Sequence, residues 1–250
     1  MAILLPVALA IFWRRRSGAP WRALWTGVLV FFVSQVVLRI PWQAPLAVHL
    51  QSKTGGSGAL WTGFLLLSCL TAGLFEETGR FVAYRTLLKN ERNPCAAVLC
   101  GIGHGGLESI LFVGLSLLGL LIAAKLGPAG AIPPGPGLDA MKRQLAELTP
   151  GGALAAGFER VSAIGLHVAL SLVVLQVFTR GGLRWLWTAI ALHAATNAAA
   201  VLLIKPLGTW PTEILVFLIV GGIFGWAVSL ARGGGSPPTP VSSFSQSSAK

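Results

Sequence analysis

Long apolar blocks separated by short polar segments run along the whole 250-residue chain. A membrane-spanning helix needs about 20 predominantly apolar residues, so six blocks meet or approach this length and the first is short. Only 11% of the residues are charged, whereas an ordinary soluble domain has about 25%. No block alternates polar and apolar residues with a period of two. The sequence therefore predicts an all-α, polytopic helical membrane protein with about seven transmembrane helices, in blocks 2–13, 20–40, 59–75, 95–124, 153–179, 183–204 and 211–231.

The distribution of basic residues predicts the orientation of these spans. With the N-terminus outside, seven spans place twelve Lys and Arg residues on the cytoplasmic side and five outside. This bias follows the positive-inside rule, so the C-terminus is predicted to be cytoplasmic. The net charge of +11 is then explained by topology, and no nucleic-acid partner is indicated. We expect a multi-pass protein of the bacterial cytoplasmic membrane, whose first span is short.

The domain organisation follows from the same pattern. Residues 1–232 are predicted to form one integral membrane domain, and the Gly-, Ser- and Pro-rich tail 233–250 is predicted to be disordered. The outside loop 125–152 begins rich in Pro and Gly. It then carries apolar residues at helical spacing, which predicts a short helix lying on the membrane surface: Leu138, Met141, Leu145 and Leu148.

Three polar clusters interrupt the apolar blocks. Ionisable residues at membrane depth are costly unless they face a polar cavity or a partner, and they are functional-site candidates by default. Each cluster holds two polar residues four positions apart, which lie on one helix face. The clusters are Glu76-Glu77-Thr78-Gly79-Arg80, His104-Gly105-Gly106-Leu107-Glu108 and His193-Ala194-Ala195-Thr196-Asn197. A further span adds Glu159, Arg160 and His167. We expect the third to sixth spans to surround one polar cavity that opens toward the cytoplasmic half.

Each cluster taken alone also has a structural interpretation. Glu76 and Glu77 are predicted to end the third span, where they could form a charged helix end with Arg80 paired to Glu76. The dense glycines around His104 could serve close helix packing or the access of a substrate backbone. Asn197 could form a hydrogen bond between helices, and Arg160 could form a structural ion pair with Glu159.

Two kinds of chemistry fit the combined set. Glutamate and two histidines could bind zinc, although the zinc-protease spacing His-Glu-x-x-His is absent. Alternatively, a glutamate and a histidine activate water directly. In that case His193 and Asn197 donate hydrogen bonds to an oxyanion. The residues alone leave both possibilities open.

At these residues the chain resembles the bacterial YhfC-type membrane proteins, predicted glutamic-type intramembrane proteases related to the type II CAAX prenyl protease/ABI superfamily. The resemblance covers most of the chain. It includes the second-span pattern Ser34-Gln35-Val36-Val37-Leu38-Arg39-Ile40-Pro41, Glu76-Glu77-x-x-Arg80, Gly103-His104-Gly105-Gly106-Leu107-Glu108, Glu159-Arg160 with His167, and His193-x-x-x-Asn197. The broader superfamily has three residues between its second glutamate and its arginine, whereas this chain has two between Glu77 and Arg80.

The resemblance implies a catalytic set of Glu76 or Glu77 with His104, and an oxyanion site at His193 and Asn197. Arg80, Glu108, Glu159, Arg160 and His167 would support them. It implies an intramembrane endopeptidase without a cofactor, zinc being the alternative, that acts on a membrane protein or a lipidated peptide in the bilayer. Glu76 is favoured as the base. A transporter or proton relay using the same residues, or a catalytically silent scaffold, is the alternative function.

Overall fold

The computed structural model describes residues 1–126, 146 and 149–233. In this part of the chain the regular structure is entirely helical. We number the helices α1 (Leu4–Ser17), α2 (Trp21–Thr54), α3 (Gly58–Thr86), α4 (segments Pro94–Glu108, Ser109–Gly114 and Leu115–Leu126), α5 (Pro150–Thr179), α6 (Arg184–Leu207) and α7 (Thr209–Arg232). Six of them, α2 to α7, are long and apolar enough to cross a membrane. The all-α, polytopic membrane fold is therefore confirmed. The predicted interfacial helix and disordered tail lie outside the described residues.

Helix α1 is the short first span of the sequence analysis, and it packs along α4. Trp13 Nε1 donates to the Cys95 carbonyl at 2.9 Å near the start of α4. At the other end of α1, Ser109 Oγ donates to the Ala2 carbonyl at 2.9 Å. The two helices therefore run antiparallel. With 14 residues α1 is shorter than the six candidate spans, but it belongs to the same bundle.

The helix starts follow from local sequence. Pro94 and Pro150 occupy the first turns of α4 and α5, where a missing backbone N–H costs nothing. Each helix is preceded by a capping side chain: Asn93 accepts from the Ala96 N–H at 3.0 Å, and Thr149 accepts from the Gly152 N–H at 3.0 Å. The local sequence thus determines where these two helices begin.

Two helices contain π-helical segments, in which the backbone bonds span five residues. They are Phe32–Arg39 within α2 and Ser109–Gly114 within α4. Such segments are rare and often lie at functional sites. The first one carries Gln35 and Arg39, and the second directly follows Glu108. Both helices therefore depart from regular geometry beside the polar clusters.

The helix ends separate into two sets. At one end, which we call the basic end, α1, α3, α5 and α7 finish and α2, α4 and α6 begin. Polar contacts join the segments there. Arg22 Nη1 lies 3.7 Å from Glu91 Oε1, the Arg92 guanidinium lies 4.2 Å from the Phe178 ring centre, and Arg180 Nη2 donates to the Leu230 carbonyl at 2.7 Å. This arrangement agrees with seven helices that alternate in direction.

Helix α5 is the centre of the bundle. Within its most apolar stretch 72% of the residues are buried, against 17–39% in the other candidate spans. Large side chains around α5 in the basic half of the bundle are fully enclosed, among them Tyr84, Leu88, Leu99 and Leu170. Large apolar side chains on the outer helices instead point away from the bundle, including Leu70 and Leu218. This pattern is expected where lipid, rather than water, surrounds the protein.

Candidate functional site

Helix α3 places Glu76, Glu77 and Arg80 in the interior of the bundle. All three side chains are buried, and α3 continues to Thr86. Glu76 thus lies about ten residues, or roughly 15 Å, from the end of the helix. The prediction that the two glutamates end the third span was wrong. Their buried partners on other helices allow the helix to continue past them.

Glu76 is surrounded by side chains from three neighbouring helices. Its Oε1 accepts a hydrogen bond from Gln35 Nε2 on α2. Its Oε2 lies 2.7 Å from His104 Nε2 on α4 and 3.9 Å from His193 Nε2 on α6. The structure thus brings together a carboxylate and the two imidazoles that the sequence singled out.

Glu77 makes a separate set of contacts. Its Oε2 accepts from Arg80 Nη1, and its Oε1 lies 2.9 Å from His193 Nδ1. Arg80 therefore pairs with Glu77, three positions away, and the predicted pair of Arg80 with Glu76 was wrong. The reason is that Glu76 turns toward α2 and α4, while Glu77 and Arg80 turn toward α6 and α5. The second Arg80 nitrogen, Nη2, lies 3.2 Å from His167 Nδ1.

A second group of charges lies along α5. His167 Nε2 lies 2.7 Å from Glu108 Oε2, and Arg160 Nη1 donates to Glu108 Oε1 at 3.2 Å. Arg160 Nη2 also donates to Glu159. Although His104 and Glu108 share a face of α4, their hydrogen-bond partners differ, since that of His104 lies on α3 and those of Glu108 lie on α5.

Asn197 lies one turn beyond His193 on α6 and is partly exposed in the same cavity. Two further polar residues belong to the site although sequence reasoning gave them no role there. Arg39 Nη1 donates to Gln35 Oε1 at 2.6 Å, and Arg39 Nη2 donates to the Ser68 carbonyl at 2.6 Å. The sequence could have indicated both as site residues, because Gln35 and Arg39 are polar, four positions apart and inside an apolar block.

The glycines near His104 are positions of close helix approach. A Cβ atom at Gly103 would lie 2.1 Å from the Leu24 carbonyl oxygen, and one at Gly101 would lie 2.5 Å from the Val168 Cα. Gly105 faces the His167 ring, whose centre lies 4.2 Å from that of His104. Close packing thus accounts for these glycines. It also brings the imidazoles of α4 and α5 side by side.

A cavity of about 530 Å³ connects these groups. Its inner end lies near the middle of the bundle, at Glu76, His167 and His193, and from there the lining residues extend along every helix away from the basic end. They include Arg39 on α2, Ala72 on α3, Phe112 on α4, Arg160 on α5, Ile204 on α6 and Glu213 on α7. The predicted opening toward the basic, cytoplasmic half was therefore wrong. The packed core around Tyr84 and Leu170 fills that half.

Charge in and around the cavity is unbalanced. Among the described residues, five carboxylates face three guanidinium groups at or beside the cavity: Glu76, Glu77, Glu108, Glu159 and Glu213 against Arg39, Arg80 and Arg160. With neutral histidines this leaves two negative charges. Because Glu159 and Glu213 are partly exposed, solvent screens part of this excess, and bound protons or a cation in the cavity would reduce the rest.

Three of these side chains form a set that fits a metal ion. One ligand atom each from Glu76, His167 and His193 lie within 4.8 Å of one another, and all three residues are buried. Two imidazoles and a carboxylate suit zinc. With Glu77 accepting the Nδ1–H of His193, a neutral His193 would turn its Nε2 lone pair toward Glu76. His167 carries hydrogen bonds at both nitrogens and would exchange one of them for the ion.

Comparisons with known proteins assign the chain to a family. Residues 1–220 match the family model described as the YhfC intramembrane metalloprotease. The chain belongs to the YhfC family. It is 32% identical over 242 residues to the uncharacterized membrane protein YhfC of Bacillus subtilis (strain 168), an alignment that covers 93% of each chain. No solved structure matches significantly. The resemblance to the YhfC family is thereby confirmed, while the relation to the CAAX/ABI superfamily stays a prediction.

The family description bears on the cofactor. A metalloprotease requires a metal, and the Glu76, His167 and His193 set offers a place for one. The prediction of a site without a cofactor is therefore not supported. Zinc, which the sequence analysis held as the alternative, is the better-supported expectation for YhfC-type chains such as this one.

Proposed function

We propose that this YhfC-family protein is an intramembrane endopeptidase of the bacterial cytoplasmic membrane. It hydrolyses a peptide bond of a membrane-associated polypeptide, with Glu76 as the central carboxylate. One observation carries the proposal: Glu76 lies at the closed end of a polar cavity, in contact with His104 at 2.7 Å and near His193 at 3.9 Å. Hydrolysis inside a membrane needs such a polar site to hold water beside an acid–base pair.

In the form that we favour, Glu76, His167 and His193 hold zinc. When bound, zinc supplies Lewis-acid chemistry, polarising a carbonyl and lowering the pKa of water. The chain positions this set through surrounding side chains. Gln35 and His104 orient Glu76, and Glu77 fixes the His193 ring by accepting its Nδ1–H. Such partners of ligating residues typically matter almost as much as the ligands.

Proton transfer in this form falls to Glu108. It lines the cavity, and its side chain keeps 19% of its surface exposed, against 2% for Glu76 and none for Glu77. A carboxylate that reaches the cavity can hold the proton of a reacting water and deliver it to the leaving amine. Asn197, on the same wall, is placed to donate to the oxyanion that develops on the substrate carbonyl.

A metal-free form is the second candidate, and the 2.7 Å contact of Glu76 with His104 favours it. Here Glu76 itself takes the proton of the attacking water, as in the glutamic-type mechanism. His193 then has to be an imidazolium. Its Nδ1–H already donates to Glu77, so that only a protonated Nε2 can donate to an oxyanion. The two forms therefore differ in the protonation of His193.

A transporter is less well supported than an enzyme. Transport needs a path that reaches both faces of the membrane, commonly through broken helices at the midplane. Between Glu76 and the basic end, the described residues are tightly packed around Tyr84, Leu88 and Leu99. A cavity with one open end suits a reaction better than passage. A silent scaffold gives no reason for so many buried ionisable groups.

The test combines metal analysis with proteomics of membrane peptides. The wild-type protein, Glu76→Gln and His193→Ala are purified and their zinc content is measured. We expect stoichiometric zinc in the wild type, reduced zinc in both variants, and cleavage that is lost on chelation and restored by zinc. Cleavage that persists without zinc would establish the metal-free form. If membrane peptides from cells with wild-type and Glu76→Gln protein are identical, the protease function fails.

A further inference from the structure

We infer that the cavity receives its substrate from the extracytoplasmic half of the membrane. The substrate class is then a membrane-associated polypeptide segment that enters the site from the outer half of the bilayer. That the cavity receives a substrate rests on the proposed function, whereas the direction of access rests on the structure alone. Three observations carry it: where the bundle is closed, where it is open, and which end carries the basic residues.

The bundle is closed between the site and the basic end. Tyr84 on α3, Leu88 just after α3, Leu99 on α4 and Leu170 on α5 have no exposed surface. Tyr84 also donates its hydroxyl hydrogen to the Ser171 carbonyl at 3.3 Å, which joins α3 to α5 directly beneath the site. A polypeptide approaching from the basic end would have to displace this core.

Within the part of the chain that the structure describes, the cavity reaches the surface in the other direction. From His193 its wall continues along α6 to Ile204, which is 43% exposed. From His167 it continues along α5 to Glu159, whose side chain is 40% exposed. A third wall is formed by Glu213 near the start of α7. All three limits of the cavity lie in the half of the bundle away from the basic end.

A side chamber of about 450 Å³ extends the cavity in the same half. The chamber lies between α2, α3 and α6, and it shares Arg39, Asn197, Ala200 and Val201 with the main cavity. Its remaining wall is largely apolar, with Phe64, Leu65 and Ile40, plus Gln43 and Ser68. A chamber beside Asn197 suits an apolar side chain that flanks the reacting carbonyl, as expected of a substrate drawn from the bilayer.

The basic residues assign the closed end to the cytoplasm. Among the described residues outside the site, ten lie at the basic end: Arg14, Arg15, Arg16, Arg22, Arg85, Lys89, Arg92, Arg180, Arg184 and Arg232. Three lie at the other end: Lys53, Lys125 and Lys205. Cytoplasmic ends of membrane helices carry the excess of Lys and Arg. The open end of the cavity therefore faces outward.

Cysteine labelling in intact cells tests the direction of access. Ala163→Cys on α5 and Ala200→Cys on α6 each place a thiol in the cavity wall. Ser57→Cys, in the exposed loop between α2 and α3, reports the outer end, and Asn90→Cys, in the exposed loop between α3 and α4, reports the basic end. A membrane-impermeant maleimide is applied before and after permeabilisation. The signal of the parent chain, with its native Cys69, Cys95 and Cys100, is subtracted.

We expect both cavity cysteines and Ser57→Cys to be labelled in intact cells, and Asn90→Cys only after permeabilisation. Cavity labelling only after permeabilisation, labelling of Asn90→Cys from outside, or no cavity labelling under either condition would each overturn the inference. Two cavity variants on different helices guard against misfolding of one. The same labelling is repeated in Glu76→Gln protein. Because no turnover is required, failure of the protease proposal leaves this result readable.

Discussion

His104 Nε2 lies 2.7 Å from Glu76 Oε2, and both side chains are buried at the inner end of the cavity. The two residues come from different helices, so neither position alone would create the contact. The ring of Phe31 packs edge-on against His104, with centres 5.3 Å apart, and limits its movement. The result is an acid–base pair fixed in a region from which lipid and bulk water are largely excluded.

The first prediction concerns Glu76. Glu76→Gln should lower cleavage by at least about 10²-fold, because it removes a zinc ligand in the favoured form and the general base in the metal-free form. The melting temperature should change little, because the amide retains hydrogen-bonding atoms for Gln35 and His104. Glu91→Gln, which alters a carboxylate outside the cavity paired with Arg22, is the matched control and should cleave normally. Wild-type cleavage rates in both Glu76→Gln and Glu77→Gln would refute a glutamate-centred mechanism.

The second prediction separates proton transfer from metal binding. Glu108 is not in the metal-holding set but contacts His167, so Glu108→Gln should keep most of the zinc. Its turnover should nevertheless fall by about 10²–10⁴-fold. Zinc content and cleavage are measured on the same preparation. His167→Ala is the comparison, and it should lose both. A Glu108→Gln protein with zinc and full activity would remove Glu108 from the mechanism.

The sequence predicted the fold class, and the polar residues that it singled out lie together inside the bundle. Apolar blocks set the number of helices, because lipid forces the backbone to satisfy its hydrogen bonds within each segment. Glu76, His104, His167 and His193 stood out because ionisable groups are rare in such blocks. The spacing of these residues along one helix could not show which residue of another helix each of them would contact. Hence the predicted partner of Arg80 was wrong.

The local sequence pattern also could not show toward which end of the bundle the cavity opens. It depends on which half of the bundle is filled, and α5 packs its basic half with apolar residues such as Leu170 and Val174. The end of the third span was misplaced for a related reason. A charged residue marks a span boundary only when it lacks a buried partner, and Glu77 has such partners in Arg80 and His193.

The third prediction tests the close approach of α2 and α4. Gly103→Ala would place a Cβ 2.1 Å from the Leu24 carbonyl oxygen, which cannot move without shifting α2. We expect a loss of about 1–3 kcal/mol in stability, the usual cost of overpacking. Gly119→Ala in the same helix has no atom within 4 Å of its new Cβ and should be neutral or slightly stabilising. Equal melting temperatures for the two variants would contradict this packing.

The fourth prediction identifies a structural ion pair. Arg160 is buried between Glu108 and Glu159, so Arg160→Ala leaves carboxylates without their cation. Removing one partner of a buried pair costs about 3–5 kcal/mol. Thermal unfolding in detergent should therefore show a clear loss, with activity falling as a consequence. Arg85→Ala, at an exposed position on α3, should leave the unfolding curve unchanged. A stable but inactive Arg160→Ala protein would instead indicate a direct role in the reaction.

The last prediction concerns Asn197, whose side chain lies on the wall shared by the main cavity and the side chamber. Asn197→Ala should lower kcat by about 10²–10³-fold, the loss expected from one missing oxyanion donor. KM and zinc content should stay near their wild-type values, because Asn197 is not in the metal-holding set. Thr196→Val is the control. Its hydroxyl donates to the Leu192 carbonyl within the same helix, so its loss should leave kcat unchanged. A raised KM with normal kcat in Asn197→Ala would assign this residue to substrate binding and leave the oxyanion without its proposed donor.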